Sequence, residues 1–230
     1  QGPSGNITIP TPDGEKLNAL YLPNPEARYV ILYSHGNGEH LGWIRLLLND
    51  YRDHGYEVFA WDYRGYNAST GKPNEASYKE DAEIVYRYLT QTMKIPEERI
   101  LLYGRSLGSH ASILLAANHK VAGLILEGAF TTGSNVFVEW NPFPFTFFDN
   151  INLIGKIQSP ILFLHGKSDR LVKPWHAEKM FAAAPEPKQL YWFETGHNEL
   201  PTGSGEPYWK TIGNFSETLP QTKHLMRMQL

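Results

Sequence analysis

The sequence predicts an α/β domain built on a mainly parallel sheet with helices on both faces. Short runs such as Tyr29-Val30-Ile31-Leu32-Tyr33, Ile100-Leu101-Leu102-Tyr103 and Ile161-Leu162-Phe163-Leu164 are apolar at every position, as in strands buried on both faces. Between them lie stretches whose apolar residues recur at three- and four-residue steps, the helical period. The chain has 230 residues, 41% hydrophobic and 20% charged, which suits one domain, 1–230, with a full core.

The elements follow in order. Ile7-Thr8-Ile9 and a run over 17–22 flank the turn Pro12-Asp13-Gly14, which predicts a hairpin. The run over 29–33 ends at Ser34-His35-Gly36, and a helix is expected over 41–54. Val58-Phe59-Ala60-Trp61 reads as a buried strand, followed by a loop over 62–72 and a helix over 75–92 carrying Tyr78, Ala82, Val85, Tyr86 and Leu89. A strand over 100–103 leads into a helix over 107–118. Strands over 123–126, 161–164 and 190–193 and a helix over 206–218 complete a sheet of about eight strands.

One segment breaks the alternation. Residues 130–157 hold Phe130, Phe137, Trp140, Phe143, Phe145, Phe147 and Phe148, with Pro142 and Pro144 interrupting any helix. A crossover so long and aromatic is expected to form a small cap over a pocket, with Phe130, Phe137, Trp140 and Phe145 as pocket residues; packing on the sheet edge is the alternative.

Bulk properties exclude several function classes. A net charge of −3 without a basic cluster argues against nucleic acid as the partner. Without cysteine there is no disulfide scaffold, thiolate zinc site or thiol nucleophile. No apolar run reaches the roughly 18 residues of a membrane span. Gly65 to Lys72 misses phosphate-loop spacing, Gly36 and Gly38 lack the third glycine of a dinucleotide fingerprint, and no metal-binding pattern appears, so neither cofactor nor metal is expected. The first five residues carry no charged-then-apolar leader, and a cytoplasmic location is the expectation, with a removed N-terminal signal or anchor left open. Oligomeric state is unspecified.

Gly104-Arg105-Ser106-Leu107-Gly108 matches Gly-x-Ser-x-Gly. A strand-to-helix turn tight enough to raise a serine hydroxyl at the strand tip needs small residues two before and two after it. Chance gives about 0.08 such matches in a chain this long, with Gly near 7% of average usage. The preceding strand and following helix sharpen the match, because they put Ser106 at a helix N-terminus that favours a developing anion.

A serine hydroxyl needs a base, and the base an orienting carboxylate. Among later histidines, His197 directly follows the last strand in Glu194-Thr195-Gly196-His197-Asn198. His165 ends its own strand before a glycine, and His176 falls at a helix start. Asp169 follows the strand over 161–164, at the sheet end where open α/β sheets gather ligands, whereas Asp62 precedes the serine. Ser106, Asp169 and His197 are therefore the candidate nucleophile, acid and base. The amide of Leu107 and that of Asn37, in His35-Gly36-Asn37-Gly38, are the candidate oxyanion donors.

Together with Asp62-Tyr63-Arg64-Gly65-Tyr66 and His165-Gly166-Lys167-Ser168-Asp169, these motifs resemble α/β-hydrolase serine esterases. The resemblance is nearest to the branch described as serine aminopeptidase-like or alpha/beta hydrolase domain-containing, some members of which are membrane-anchored acyl-protein thioesterases. It covers nearly the whole chain in family order and implies the α/β-hydrolase fold, the same triad and the same oxyanion donors. Related sequences continue the Arg-Gly-Tyr loop with glycine, where this chain has Asn67-Ala68, a change in one pocket wall.

The expected function is hydrolysis of a carboxylic ester or thioester through an acyl-enzyme, with an apolar acyl group on a small-molecule or acylated substrate. A serine peptidase acting on short peptides is the alternative; it needs an acidic anchor for a substrate amino terminus, for which Glu39 and Glu127 are candidates, although surface or capping roles suit them better. A non-catalytic hydrolase-fold binding module is a third reading.

Overall fold

The computed structural model describes residues 5–137 and 147–220. Eight strands form one sheet: β1 (Gly5–Pro10), β2 (Lys16–Leu22), β3 (Val30–Ser34), β4 (Glu57–Trp61), β5 (Ile100–Arg105), β6 (Gly123–Glu127), β7 (Ile161–Gly166) and β8 (Lys188–Phe193). Their order is β1-β2-β4-β3-β5-β6-β7-β8. The pairs β1–β2 and β2–β4 are antiparallel and every other pair is parallel, which is the α/β-hydrolase arrangement.

The continuous apolar runs divide by strand pleat between two cores. Val30, Leu32, Ile100 and Leu102 point to one face, where they meet α2 (Glu75–Arg87), α3 (Gly108–Asn118), α5 (Ile151–Ile154) and α6 (Trp175–Ala183). Ile31, Tyr33, Leu101 and Tyr103 point to the other, against α1 (Leu41–Asp53) and α8 (Glu206–Thr218). Residues that alternate sides yet are apolar on both give the unbroken pattern seen in the sequence. Two further short helices, α4 (Gly133–Phe137) and α7 (Leu200–Ser204), complete the α-helices among the described residues, beside a 3-10 turn at Glu97–Arg99.

Local signals explain the boundaries. The helix expected over 75–92 starts at a capping box in which the Asn74 side chain accepts from Ser77 N at 3.0 Å and Ser77 Oγ accepts from Asn74 N at 3.1 Å. Its last turn, Tyr88–Thr92, is a π-helix rather than α. No helix among the described residues is long and apolar enough to cross a membrane.

The topology sets where chemistry can collect. From β3 the chain crosses to β4 on one side and then returns to β5 on the other, so the sheet order reverses at β3. A crevice opens at the C-terminal ends of strands at such a reversal. The loop after β3 and the turn after β5 both lie there, with Ser34 opposite Gly104. Between β6 and β7, the described ends of the insertion are tied together: Gly133 N donates to Phe147 O at 2.8 Å and Asn150 N to Thr131 O at 2.9 Å.

Candidate active site

The turn after β5 is as tight as its glycines imply. A Cβ on Gly104 would lie 2.6 Å from Ser109 Cα, and one on Gly108 would lie 1.9 Å from Ser34 O. Neither site can hold a side chain while α3 packs this closely on β3 and β5. Ser106 itself takes φ +50°, unusual for a non-glycine residue and sustained because its N–H donates to Glu127 O at 2.8 Å.

The turn after β7 holds Asp169, the candidate acid. Asp169 N donates to Gly166 O at 3.2 Å, and Asp169 Oδ1 accepts from Leu171 N at 2.9 Å and Val172 N at 2.8 Å. With Oδ1 so occupied, Oδ2 faces His197 Nδ1 at 2.6 Å. His197 Nε2 is in turn 2.9 Å from Ser106 Oγ. A proton on Nδ1 satisfies both contacts, leaving Nε2 to accept from the hydroxyl. Ser106, Asp169 and His197, 91 and 28 residues apart along their two links, thus meet in one hydrogen-bonded line.

Two glycines allow that approach. A Cβ on Gly166 would stand 2.4 Å from Thr195 O, and one on Gly128, which has φ +58°, would stand 2.8 Å from His197 Cε1. His165 is also close, its Nε2 3.5 Å from Asp169 Oδ2, but that nitrogen is 2.8 Å from Val172 O and serves the turn. His176 Nδ1 accepts from Thr131 N at 3.2 Å, away from the serine. Burial lowers the pKa of His165 and takes that of His176 down to about 4.

Ser106 opens on a cavity of about 370 Å³. Asn37 and Leu107 line it beside the serine, and Tyr66 Oη donates to Asn37 Oδ1 at 2.7 Å, fixing that residue's side chain. The rest of the lining is mainly apolar, from Tyr63, Tyr66, Pro73, Tyr78, Phe130, Val136, Phe147, Phe148, Leu171 and Val172, with Asn74 and Glu75 as its polar members. Phe130, one of the four expected pocket residues, is among the lining residues. Trp140 and Phe145 fall outside the described residues, as does the side chain of Phe137.

Three buried polar groupings had no clear signal in the sequence. Asp62 lies at the bottom of the loop after β4 and accepts from Leu41 N at 2.9 Å, Asn18 Nδ2 at 3.0 Å and Asn67 Nδ2 at 3.1 Å. Burial raises its pKa, but hydrogen bonds from His35, Asn18, Leu41 and Asn67 outweigh this and the net shift is downward. His110 Nδ1, at the start of α3, is 2.7 Å from Asn150 Oδ1, and Asn150 Nδ2 donates to Phe130 O at 2.9 Å, so this pair anchors the aromatic wall.

The third grouping surrounds Arg105 and corrects the reading of two glutamates. Glu127 is 1% exposed, and Arg105 Nε donates to its Oε1 at 3.0 Å. Its Oε2 accepts from Tyr208 Oη at 2.8 Å and from Tyr103 Oη. Glu39 pairs with Arg105 Nη1 through Oε1 and accepts from Gly36 N at 2.7 Å through Oε2. Glu127 is thus neither a surface nor a capping residue; both carboxylates are turned to the one guanidinium, and neither lines the cavity beside Ser106.

This fold and this constellation define an α/β-hydrolase. A family model described as serine aminopeptidase, S33, matches residues 25–149, and the chain belongs to that family. It is 32% identical over 195 residues to alpha/beta hydrolase domain-containing protein 17B of Homo sapiens, covering 83% of this chain and 68% of that protein. An esterase of Pyrococcus furiosus superposes with a TM-score of 0.80 at 18% identity, over 94% of this chain and 93% of its own. An esterase of Exiguobacterium antarcticum does so with a TM-score of 0.73 at 20% identity, over 92% of this chain and 99% of its own. At such identities the structural matches speak to the fold.

Proposed function

We propose that this protein is a serine hydrolase that cleaves a carboxylic ester or thioester through an acyl-enzyme intermediate. The observation that carries the reading is the unbroken Ser106–His197–Asp169 hydrogen-bond line opening on an apolar cavity. Ser106 Oγ attacks the acyl carbon as His197 Nε2 takes its proton, and Asp169 stabilises the imidazolium and holds its orientation. The carbonyl oxygen becomes an oxyanion between the amides of Leu107 and Asn37. As the tetrahedral intermediate collapses, the bond to the alcohol or thiol oxygen or sulfur breaks and His197 returns the proton to that leaving group. Water, deprotonated by His197, then attacks the acyl-serine and releases the acid.

The mixed aromatic and aliphatic walls favour an apolar acyl group, with residues 130–157 as the cap over it. A fluorophosphonate probe should label the wild type and leave Ser106→Ala unlabelled. A panel of p-nitrophenyl esters of rising chain length should give kcat/KM that climbs beyond acetate. Activity on acetate alone would count against the apolar acyl site, and turnover of arylamides without ester preference would favour a peptidase.

A further inference from the structure

We infer that Arg105 is a positioning residue that locks the oxyanion loop and the histidine loop to the nucleophile strand; this rests on the proposed Ser106 chemistry. Arg105 is the residue before the nucleophile, at the end of β5, and is 6% exposed. Its guanidinium divides its donors among three separate segments. Nε donates to Glu127 Oε1 at 3.0 Å, Nη1 to Glu39 Oε1, and Nη2 to Asn198 Oδ1 at 3.1 Å. Each partner adjoins a group the reaction needs.

Glu39, through its second oxygen, accepts from Gly36 N at 2.7 Å, and Gly36 precedes the oxyanion donor Asn37. Asn198 follows the base, His197. Glu127 accepts the N–H of Ser106 at its carbonyl, 2.8 Å away, and precedes Gly128, whose α-carbon faces the His197 ring. Behind Glu127, Tyr103 and Tyr208 donate to its other oxygen and Tyr51 lies within hydrogen-bond reach of Tyr208, so the joint is braced from β5, α1 and α8.

The geometry also says why arginine stands there. A planar fork can reach three acceptors in divergent directions, whereas an ammonium presents its donors from one atom. Loosening any arm moves an oxyanion donor or the base relative to Ser106 without altering the cavity walls. Displacements near 1 Å in such groups lower turnover by about 100-fold. The signature is a fall in kcat with KM nearly unchanged.

The test uses Arg105→Lys, Glu39→Gln, Asn198→Ala and the Glu39→Gln/Asn198→Ala double variant. Ester kcat and KM, the fluorophosphonate inactivation rate and thermal unfolding are measured for each. Arg105→Lys should lose about 10- to 100-fold in kcat and in inactivation rate, with KM within about twofold. Glu39 and Asn198 share Arg105, so the double variant should depart from the product of the single losses by about threefold or more. If Arg105→Lys does not fold, that cycle decides, since both its positions lie at the partly exposed ends of the network.

Single losses that simply multiply, or variants that lower only the melting temperature, would overturn the inference. A wild type that neither turns over esters nor labels at Ser106 would instead sink the reading on which it rests. A wild type that labels, beside variants that label equally fast, refutes the role of Arg105 alone.

Discussion

Replacing Gly128 by alanine places one methyl group against the ring of His197. The new carbon would sit 2.8 Å from Cε1 and 3.2 Å from Nδ1. Contact between carbons is relaxed near 3.5–4.0 Å, so the ring or β6 must yield by roughly 0.7 Å or more. The ring is held between Asp169 Oδ2 at 2.6 Å and Ser106 Oγ at 2.9 Å, and a shift of that size breaks one contact or bends both. The expected loss is about 10- to 100-fold in kcat, by the sensitivity of near-attack geometry to displacement. Alanine at φ +58° adds a backbone cost of about 1–2 kcal/mol. Gly55→Ala separates the two effects: Gly55 has φ +95° but nothing within 4 Å of the added methyl, so it should lose stability and keep kcat. Ester turnover and fluorophosphonate inactivation report the first effect, chemical denaturation the second. Wild-type kcat in a folded Gly128→Ala protein would refute the claim that this glycine makes room for His197.

Further expectations concern stability. His176 has a folded pKa of about 4 against an ordinary 6.5, chiefly through burial, so the unfolded chain takes up a proton that the folded one refuses. That stability is fully present above pH 6.5 and is lost as pH falls towards 4, by up to about 3 kcal/mol. His176→Asn should flatten the loss between pH 7.5 and 4.5 in urea denaturation; an unchanged slope would refute the assignment. Glu127→Ala takes the acceptor from Arg105 Nε and from two tyrosine hydroxyls while Glu39 still pairs with the guanidinium, and should destabilise by about 2–4 kcal/mol, visible in the same assay; no measurable loss would contradict its role as a buried acceptor. Gly213, inside α8 with nothing within 4 Å of an added Cβ, should gain about 0.5–1 kcal/mol as alanine, read as a higher melting temperature.

The strands and the serine turn were legible because their determinants are local. An apolar run marks a doubly buried strand wherever it occurs, and the two glycines around Ser106 record steric contacts within five residues. Asp169 and His197 were legible at one remove, since each directly follows a strand whose end must face the crevice. The short helices α4, α5 and α7 escaped notice because pieces of four or five residues carry too few turns to show a period. The aromatic segment was recognised by composition, but composition does not say which rings line a cavity. Phe130 was expected at the pocket, but only the structure adds Phe147 and Phe148 and brings Tyr63, Tyr66 and Tyr78 to the same cavity.

Polar networks are a different case, and Arg105 illustrates why. Its partners lie 22, 66 and 93 residues away, and no periodicity links such positions. In the sequence, Arg105 is one of two unspecified letters in a pentapeptide, and Glu39 and Glu127 read only as candidate amine anchors or as surface and capping residues. In the fold, the Arg105 cation is what makes the burial of Glu127 tolerable: at 1% exposure that carboxylate would otherwise be an isolated charge. The pairing also bears on chemistry, because it turns both acids to Arg105 and away from the cavity beside Ser106, whose mainly apolar lining holds Glu75 as its one acid among the described residues. One arginine thus commits two acids to positioning rather than to substrate binding, through residues that neither line the cavity nor belong to the proposed triad.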